Sequence, residues 1–160
     1  LVAEHRLPDW DPKLHGYDAA VTISLWRWAD KWVSWNQPIK KIQRKYRQLT
    51  GMPTAHLYEQ VSDSIVTERT QGIENFPCVV PNWDNTPRSG RNGLVLHGST
   101  PELFRRHLRR ALDRMRDVPR EHRIVFVKSW NEWAEGNHLE PDRKFGLRYL
   151  EVLHEELTNK

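Results

Sequence analysis

IVFVKSWNEWAEG, residues 124–136, is the stretch of sequence that most constrains the fold of this chain. Its first seven residues, ending at Trp130, are mostly apolar and β-branched and follow a polar turn, so they predict a buried strand. Two similar segments, AAVTISL at residues 19–25 and CVVPNW at residues 78–83, predict two more buried strands. Short apolar strands of this kind are typical of parallel sheets covered by helices.

Helical patterns occupy the sequence between these strands. Apolar residues recur at helical spacing over residues 38–49 and, less regularly, over residues 57–65. Ser99 or Thr100 can cap the next helix, and the last helix is predicted to begin near Asp142. The alternation of strands and helices predicts βαβ units and a parallel α/β fold. Residues 85–98 contain four Gly or Pro residues and predict a long flexible loop directly after a strand.

Length and composition limit the classes of protein that fit. The chain has 160 residues, enough for one domain, whereas a complete (β/α)8 barrel needs roughly 250. No apolar run approaches the ~20 residues of a membrane span, no signal peptide is visible, and the single Cys78 predicts a buried, inert thiol. We therefore expect a cytoplasmic protein, whose first residue, Leu1, predicts a truncated start.

The net charge of +4 comes largely from arginines between residues 105 and 123. They alternate with apolar residues at helical spacing, which favours the solvated face of an amphipathic helix over a surface for acidic partners. Binding to nucleic acid, the other interpretation of this charge, predicts affinity that falls steeply with salt. Eight tryptophans, several beside polar residues, suit the stacking of sugar rings as well as they suit core packing.

Two predicted strands end in the same way. Trp83 is followed by Asp84 and Asn85, and Trp130 is followed by Asn131 and Glu132 in the strongest strand. Because ligands bind at the carboxyl ends of parallel strands, the two polar clusters are expected to face one shared pocket.

Glu132 and Glu135 are the candidate catalytic pair. A helical turn after Trp130 would place them on one face, with Cβ atoms about 5–6 Å apart, whereas an extended chain would separate them by about 10 Å. Two carboxylates that share one site resist ionising together, which supplies the acid and the base that glycoside chemistry requires. The alternative is a plain helix N-terminus with Asn131 as its cap, and the spacing does not decide between the two.

The run SWNEWAEGNHLEPD, residues 129–142, resembles the motif of the WbsX-like family of polysaccharide-biosynthesis glycosyltransferases. PCVVPNWDNTPR, residues 77–88, matches a second block of that family, and GYDAAV, residues 16–21, resembles a third more weakly. The family is similar in fold to glycoside hydrolase family 99, the endo-α-mannosidases. The resemblance therefore implies the C-terminal portion of a TIM barrel, with parallel strands, amphipathic outer helices and residues 1–160 forming a single domain.

The resemblance also implies roles for single residues. Glu132 matches the group that deprotonates the neighbouring 2-hydroxyl of the sugar, and Glu135 matches the general acid/base. Glu140 matches a further acidic position that binds a sugar hydroxyl. Ala134 departs from the histidine usual in the hydrolases and follows the WbsX-like form. Further substrate-binding candidates are Trp83, Asp84, Asn85, Arg88 (for a phosphate or other charged substituent), Trp130, Asn131 and Trp133.

Together these features predict a glycoside hydrolase or glycosyltransferase that acts on an oligosaccharide or polysaccharide by a paired-glutamate, retaining-type mechanism. No cofactor and no metal is expected, since His138 and Glu140 lack the cysteine pair of a zinc deaminase. The alternatives are a non-catalytic carbohydrate-binding remnant of such a barrel and a basic nucleic-acid-binding module. A partial barrel also leaves an open sheet edge, so self-association through that edge is expected.

Overall fold

The computed structural model describes residues 2–4, 11–22, 25, 42, 45, 46, 49–66 and 74–158. Its strands in that part of the chain are β1 (Val2–Glu4), β2 (Ala19–Thr22), β3 (Thr54–Leu57), β4 (Asn75–Val79), β5 (Trp83–Asp84), β6 (Leu94–His97), β7 (Phe126–Val127), β8 (Asn131–Glu132) and β9 (Asn137–His138). The helices are α1 (Tyr58–Ile65), α2 (Thr86–Ser89), α3 (Pro101–Arg114) and α4 (Arg148–Thr158).

A four-stranded parallel sheet, in the order β1-β2-β4-β7, carries the predicted α/β architecture. A second sheet has the order β3-β6-β5, with β3 and β6 parallel and β5 antiparallel to β6. The mixed α/β class with a parallel sheet is therefore confirmed. The described strands form separate sheets and do not close into a barrel, so assignment to the C-terminal part of a TIM barrel stays a prediction.

The strands predicted from residues 78–83 and 124–130 are shorter in the structure. The first is wrong as a continuous strand, because it divides into β4 and β5, which lie in different sheets. Pro81 lies at the division, and a proline has no N–H to donate to a strand ladder. The second reduces to β7, because Ser129 leaves the sheet and donates its N–H to the side chain of Asn137.

The loop predicted for residues 85–98 is an ordered part of the second sheet. It contains α2, a short 3-10 turn at Gly90–Asn92, and β6, whose residues pair with β3 and β5 on either side. The prediction of a flexible insertion was wrong. It relied on the glycines and prolines and overlooked the alternation of the segment Leu94–His97. Leu94 and Leu96 are buried in the core, and this alternation was the available strand signal.

One helix follows the predicted capping rules, and another begins later than predicted. Thr100 caps α3 by accepting the N–H of Leu103, with Pro101 at the first helical position. α4 begins only at Arg148, because the side chain of Asp142 accepts two backbone N–H groups and forms a turn instead of a helix start. Within the helix predicted at residues 38–49, positions 42, 45, 46 and 49 are helical, and the remainder lies outside the described residues.

Two clusters of buried residues meet where β4 ends, because Val79 belongs to one cluster and Val80 to the other. Tyr58 and Val61 of α1 pack with Trp83 and the strand residues Leu94 and Leu96. The second cluster joins α3 and α4 to β4 and consists of Val66, Val79, Phe104, Leu108, Ala111, Leu139, Tyr149 and Val152. Cys78 is buried, as predicted. Within the described ranges no helix is both long and apolar enough to cross a membrane.

Four arginines of α3 form ion pairs with carboxylates of neighbouring helices. Arg105 pairs with Glu155 and Glu156 of α4 at 2.5 and 2.8 Å, and Arg109 donates to Glu156 at 2.7 Å. The hydrogen bond from Arg109 holds the pKa of Glu156 below its ordinary value. Arg106 and Arg110 pair with the acidic residues of α1. Much of the basic charge is thus neutralised within the fold, which weakens the nucleic-acid interpretation.

His107 makes the stability of the chain depend on pH. Burial in α3 lowers its pKa to about 4, against an ordinary value of 6.5, so between these values only the unfolded chain takes up the proton. We expect the free energy of unfolding to fall as the pH drops from 6.5 towards 4, with up to about 3 kcal/mol from this residue. Urea denaturation across this range measures the slope. His107→Leu should flatten the slope, and a slope identical to that of the wild type would contradict the assignment.

Candidate active site

Parallel pairing of β4 with β7 brings the two polar clusters to one edge of the sheet. Val79 lies opposite Val127, and the N–H of Lys128 donates to the carbonyl of Val79 at 2.9 Å. Both strands therefore end at the same level and run in the same direction. The chain after β4 continues through Asn82 to α2, and the chain after β7 continues into the segment that contains both candidate glutamates.

The segment that carries the glutamates adopts neither of the conformations considered from the sequence. β8 and β9 form a small antiparallel hairpin, joined by a 3-10 turn at Trp133–Glu135 and by Gly136 in the left-handed conformation. Glu132 precedes this turn and Glu135 ends it, and both side chains reach one partner, Arg88. Asn131 belongs to β8 and does not cap an α-helix, so the plain helix N-terminus is wrong.

Arg88 joins the two glutamates. Its Nη1 lies 3.0 Å from Oε1 of Glu135, and its Nη2 lies 3.3 Å from Oε1 of Glu132. Lys128 adds a second cation, with Nζ 3.7 Å from Oε2 of Glu135. The Glu135 side chain is 16% exposed and that of Glu132 39%, so Glu135 occupies the more enclosed position. Two basic side chains therefore lie beside the two acidic groups, and their positive charge favours the close approach of the two glutamates.

Close backbone contact keeps the two loops together. A Cβ added to Gly136 would lie 2.8 Å from the carbonyl oxygen of Asp84 and 3.0 Å from its backbone nitrogen. Asn137 is fully buried, and it accepts the N–H of Ser129 through Oδ1 and the hydroxyl of Ser129 through its carbonyl. The turn after β7 and the hairpin are therefore held as one unit against the loop after β4.

The remaining predicted site residues divide into buried and exposed groups. Trp83 and Asn85 are buried, and Asn85 accepts the N–H of Leu94, so both act in the core and offer little surface to a ligand. Asp84 accepts the N–H and the hydroxyl of Thr86 and holds the start of α2, which is the turn-forming role of an Asp at this position. Trp130 and Trp133 are exposed by 54% and 48%.

Glu140 and Asn131 lie close to these exposed rings. The indole Nε1 of Trp133 donates to Oε2 of Glu140 at 2.6 Å, so this carboxylate holds an aromatic ring beside the paired glutamates. Asn131 is exposed at the start of the hairpin. The edge thus presents two aromatic faces, an amide and a carboxylate next to Glu132, the groups with which proteins bind sugars.

Three residues at this edge were missed from the sequence. Lys128 lies beside Glu135, and its Nζ is 5.4 Å from the centroid of the Trp83 ring. A lone lysine within an apolar strand was the signal that could have identified it. Asn82 and His138 hydrogen-bond to each other across the two loops. No local pattern indicates that pair, because the two residues meet only through the pairing of β4 with β7.

Gly136 provides a test of the contact between the loops. We expect Gly136→Ala to lower the free energy of unfolding by about 2 kcal/mol or more. The added methyl group would be too close to backbone atoms of Asp84, and the backbone at residue 136 has a left-handed conformation that alanine disfavours. Gly146→Ala is the matched control: its φ is also positive, but nothing lies within 4 Å of the added Cβ. Urea denaturation of both variants separates the close contact from the backbone cost. Equal losses would show that the two loops do not need this approach.

No solved structure matches the chain. The uncharacterized protein WxcX of Xanthomonas campestris pv. campestris, from two strains, is 45% identical over 85 residues, which cover 52% of this chain and 12% of the relative. The chain thus spans only a small part of the length of these relatives. The sequence model of the family Glycosyltransferase WbsX matches residues 1–153. Because that match covers nearly the whole chain, the protein belongs to the Glycosyltransferase WbsX family, a family of carbohydrate-active type.

Proposed function

We propose that the chain carries the catalytic edge of a glycosyltransferase or glycoside hydrolase acting on an oligosaccharide or polysaccharide. The observation that carries the proposal is the pair of glutamates bridged by Arg88 at the carboxyl edge of a parallel sheet. Membership of the WbsX family supports the sugar as substrate class. Hydrolysis and transfer share this chemistry and differ only in whether water or a sugar hydroxyl is the acceptor.

Glu132 and Glu135 divide the work in a retaining-type mechanism. Glu132 accepts the proton of the 2-hydroxyl next to the anomeric carbon, and that oxygen forms a bond to the anomeric carbon as the bond to the leaving oxygen breaks. Glu135 gives its proton to the leaving oxygen and then removes one from the acceptor. The acceptor oxygen then attacks the anomeric carbon and opens the three-membered ring formed with the 2-oxygen, and Glu132 returns its proton to that 2-oxygen, so the hydroxyl and the original configuration are restored. This division follows the resemblance to family 99 glycoside hydrolases, and the enclosed position of Glu135 suits proton transfer away from bulk water.

Arg88 has two tasks in this proposal. Its guanidinium contacts both glutamates and holds them on one side. The Arg88 side chain is 55% exposed, so it can also bind a phosphate or other charged substituent of the donor as the sugar enters. A planar guanidinium suits both tasks, since its several N–H groups point in fixed directions.

Exposed tryptophans and Glu140 form the sugar-binding surface. The rings of Trp130 and Trp133 offer apolar faces on which the C–H face of a sugar ring can stack, while Asn131 and Glu140 bind its hydroxyls. We also propose that the β1-β2-β4-β7 sheet belongs to a β/α barrel and that residues 1–160 form one domain within it. Support comes from the parallel order of this sheet and from the position of the glutamates at its carboxyl edge.

Carbohydrate binding without turnover is the second candidate function. Both glutamates contact Arg88, whereas Trp130 and Trp133 are exposed by 54% and 48%. A protein that only binds sugar would need the tryptophan rings. It would not need free carboxylates, so the contacts of both glutamates with Arg88 would not impair it.

Separate measurements of binding and turnover distinguish these functions. An array of immobilised oligosaccharides identifies a bound sugar, calorimetry measures its affinity, and release of reducing sugar or transfer to a labelled acceptor measures turnover. We expect Glu132→Gln and Glu135→Gln to lower turnover by about 10²–10⁴-fold with little change in affinity, as for the loss of a general acid or base. Glu151→Gln in α4, where Glu151 pairs with Arg148, is the control and should leave both unchanged.

Unchanged turnover in both site variants would end the catalytic assignment. Sugar binding by the wild type without any turnover would establish the binding function in its place. The same substitutions in a longer family member with a measured activity provide an independent check, because this chain spans a small part of the length of its relatives.

A further inference from the structure

Asn82 connects the loop after β4 to the β8–β9 hairpin through His138. The backbone N–H of His138 donates to Oδ1 of Asn82 at 2.8 Å, and Nδ2 of Asn82 donates to the carbonyl of His138 at 3.3 Å. Because a backbone N–H can only donate, this contact determines which end of the Asn82 amide carries the oxygen. The amide nitrogen must therefore be the atom that lies 3.2 Å from Nδ1 of His138.

This orientation determines the tautomer of the imidazole. Nδ2 of Asn82 can offer only hydrogens, so Nδ1 of His138 must accept, and the ring carries its proton on Nε2. A doubly protonated ring would place two N–H groups against each other. His138 is only 8% exposed, and burial lowers its pKa, while the charges of Asp142 and Glu140 act in the opposite direction. Neutral His138 is thus the form that suits its surroundings.

His138 in turn contacts the indole of Trp133. The two ring centroids are 3.6 Å apart and the planes meet at 63°, an edge-to-face arrangement. Nε2 of His138 is buried and has no conventional hydrogen-bond partner among the described residues. At its other end the indole donates to Glu140. The ring is thereby held from two sides while 48% of Trp133 remains exposed.

We propose that Asn82 and His138 are positioning residues that set the tilt of Trp133, so that the loop after β4 controls an aromatic surface carried by the hairpin. The proposal rests on the proposed function in one respect, namely that Trp133 contacts the sugar. It deepens that function by giving a role to the contacts that join the partly buried Asn82, the buried His138 and the exposed Trp133. Neither residue touches the reacting atoms, so neither is a catalytic residue.

Asn82→Asp is the decisive variant. The carboxylate keeps an oxygen for the N–H of His138 but replaces the donor Nδ2 with an acceptor, so Nδ1 of His138 should gain a proton. Nitrogen-15 NMR of the labelled chain at pH 8 shows which ring nitrogen of His138 carries the proton. The chemical shift of the indole N–H reports the environment of Trp133. His138→Gln and Trp133→Phe assign the signals by their loss. Asn92→Asp, the same change on the exposed turn at Gly90–Asn92, is the matched control.

In the wild type we expect Nδ1 of His138 to be unprotonated and Nε2 to carry the proton. Asn82→Asp should move the proton to Nδ1 and shift the Trp133 indole signal, whereas Asn92→Asp should change neither. Two results would overturn the proposal: a wild-type His138 ring protonated at Nδ1, or a Trp133 indole signal whose chemical shift is the same in Asn82→Asp as in the wild type. These signals are read without ligand, so failure of sugar binding on the oligosaccharide array would remove the proposed function and leave the Asn82–His138 result standing.

Discussion

The register between β4 and β7 is the constraint on which the candidate site depends. Val79 opposite Val127, with the N–H of Lys128 donating to Val79, sets where each strand ends and hence where the following side chains begin. A shift of this pairing by one residue would turn every side chain of β7 to the other face of the sheet. The contacts between the two loops, including the approach of Gly136 to Asp84, follow from this register.

Charge balance is the second requirement of the site. Two carboxylates on one side of a three-residue turn repel each other, and Arg88 and Lys128 offset that repulsion from two different elements. The same principle operates on the far side of α3, where arginines lie between the acidic residues of α1 and α4. There the pairs are part of helix packing, whereas at the sheet edge the exposed position of Arg88 leaves room for exchange with a ligand.

Several parts of the fold were predictable because they rest on local chemistry. Thr100, followed by Pro101, caps α3 by accepting a backbone N–H of its first turn, and apolar β-branched residues made β2 recognisable. The shift of α4 to Arg148 was not predictable, because the side chain of Asp142 can begin a helix or close a turn with equal ease. Likewise, β6 became a strand only through its partners on both sides, since an isolated four-residue segment has no ladder of its own.

For the candidate site, the sequence by itself determined the identities that chemistry requires: paired glutamates three residues apart, after an apolar strand and among tryptophans. Tertiary structure decided which of the neighbouring residues reach solvent. It buried Trp83 and Asn85, left Trp130 and Trp133 exposed, and brought in Lys128, Asn82 and His138. The physical reason is that composition and spacing act along the chain, whereas burial and ion pairing arise between segments far apart in sequence, which only the packed strands and helices bring together.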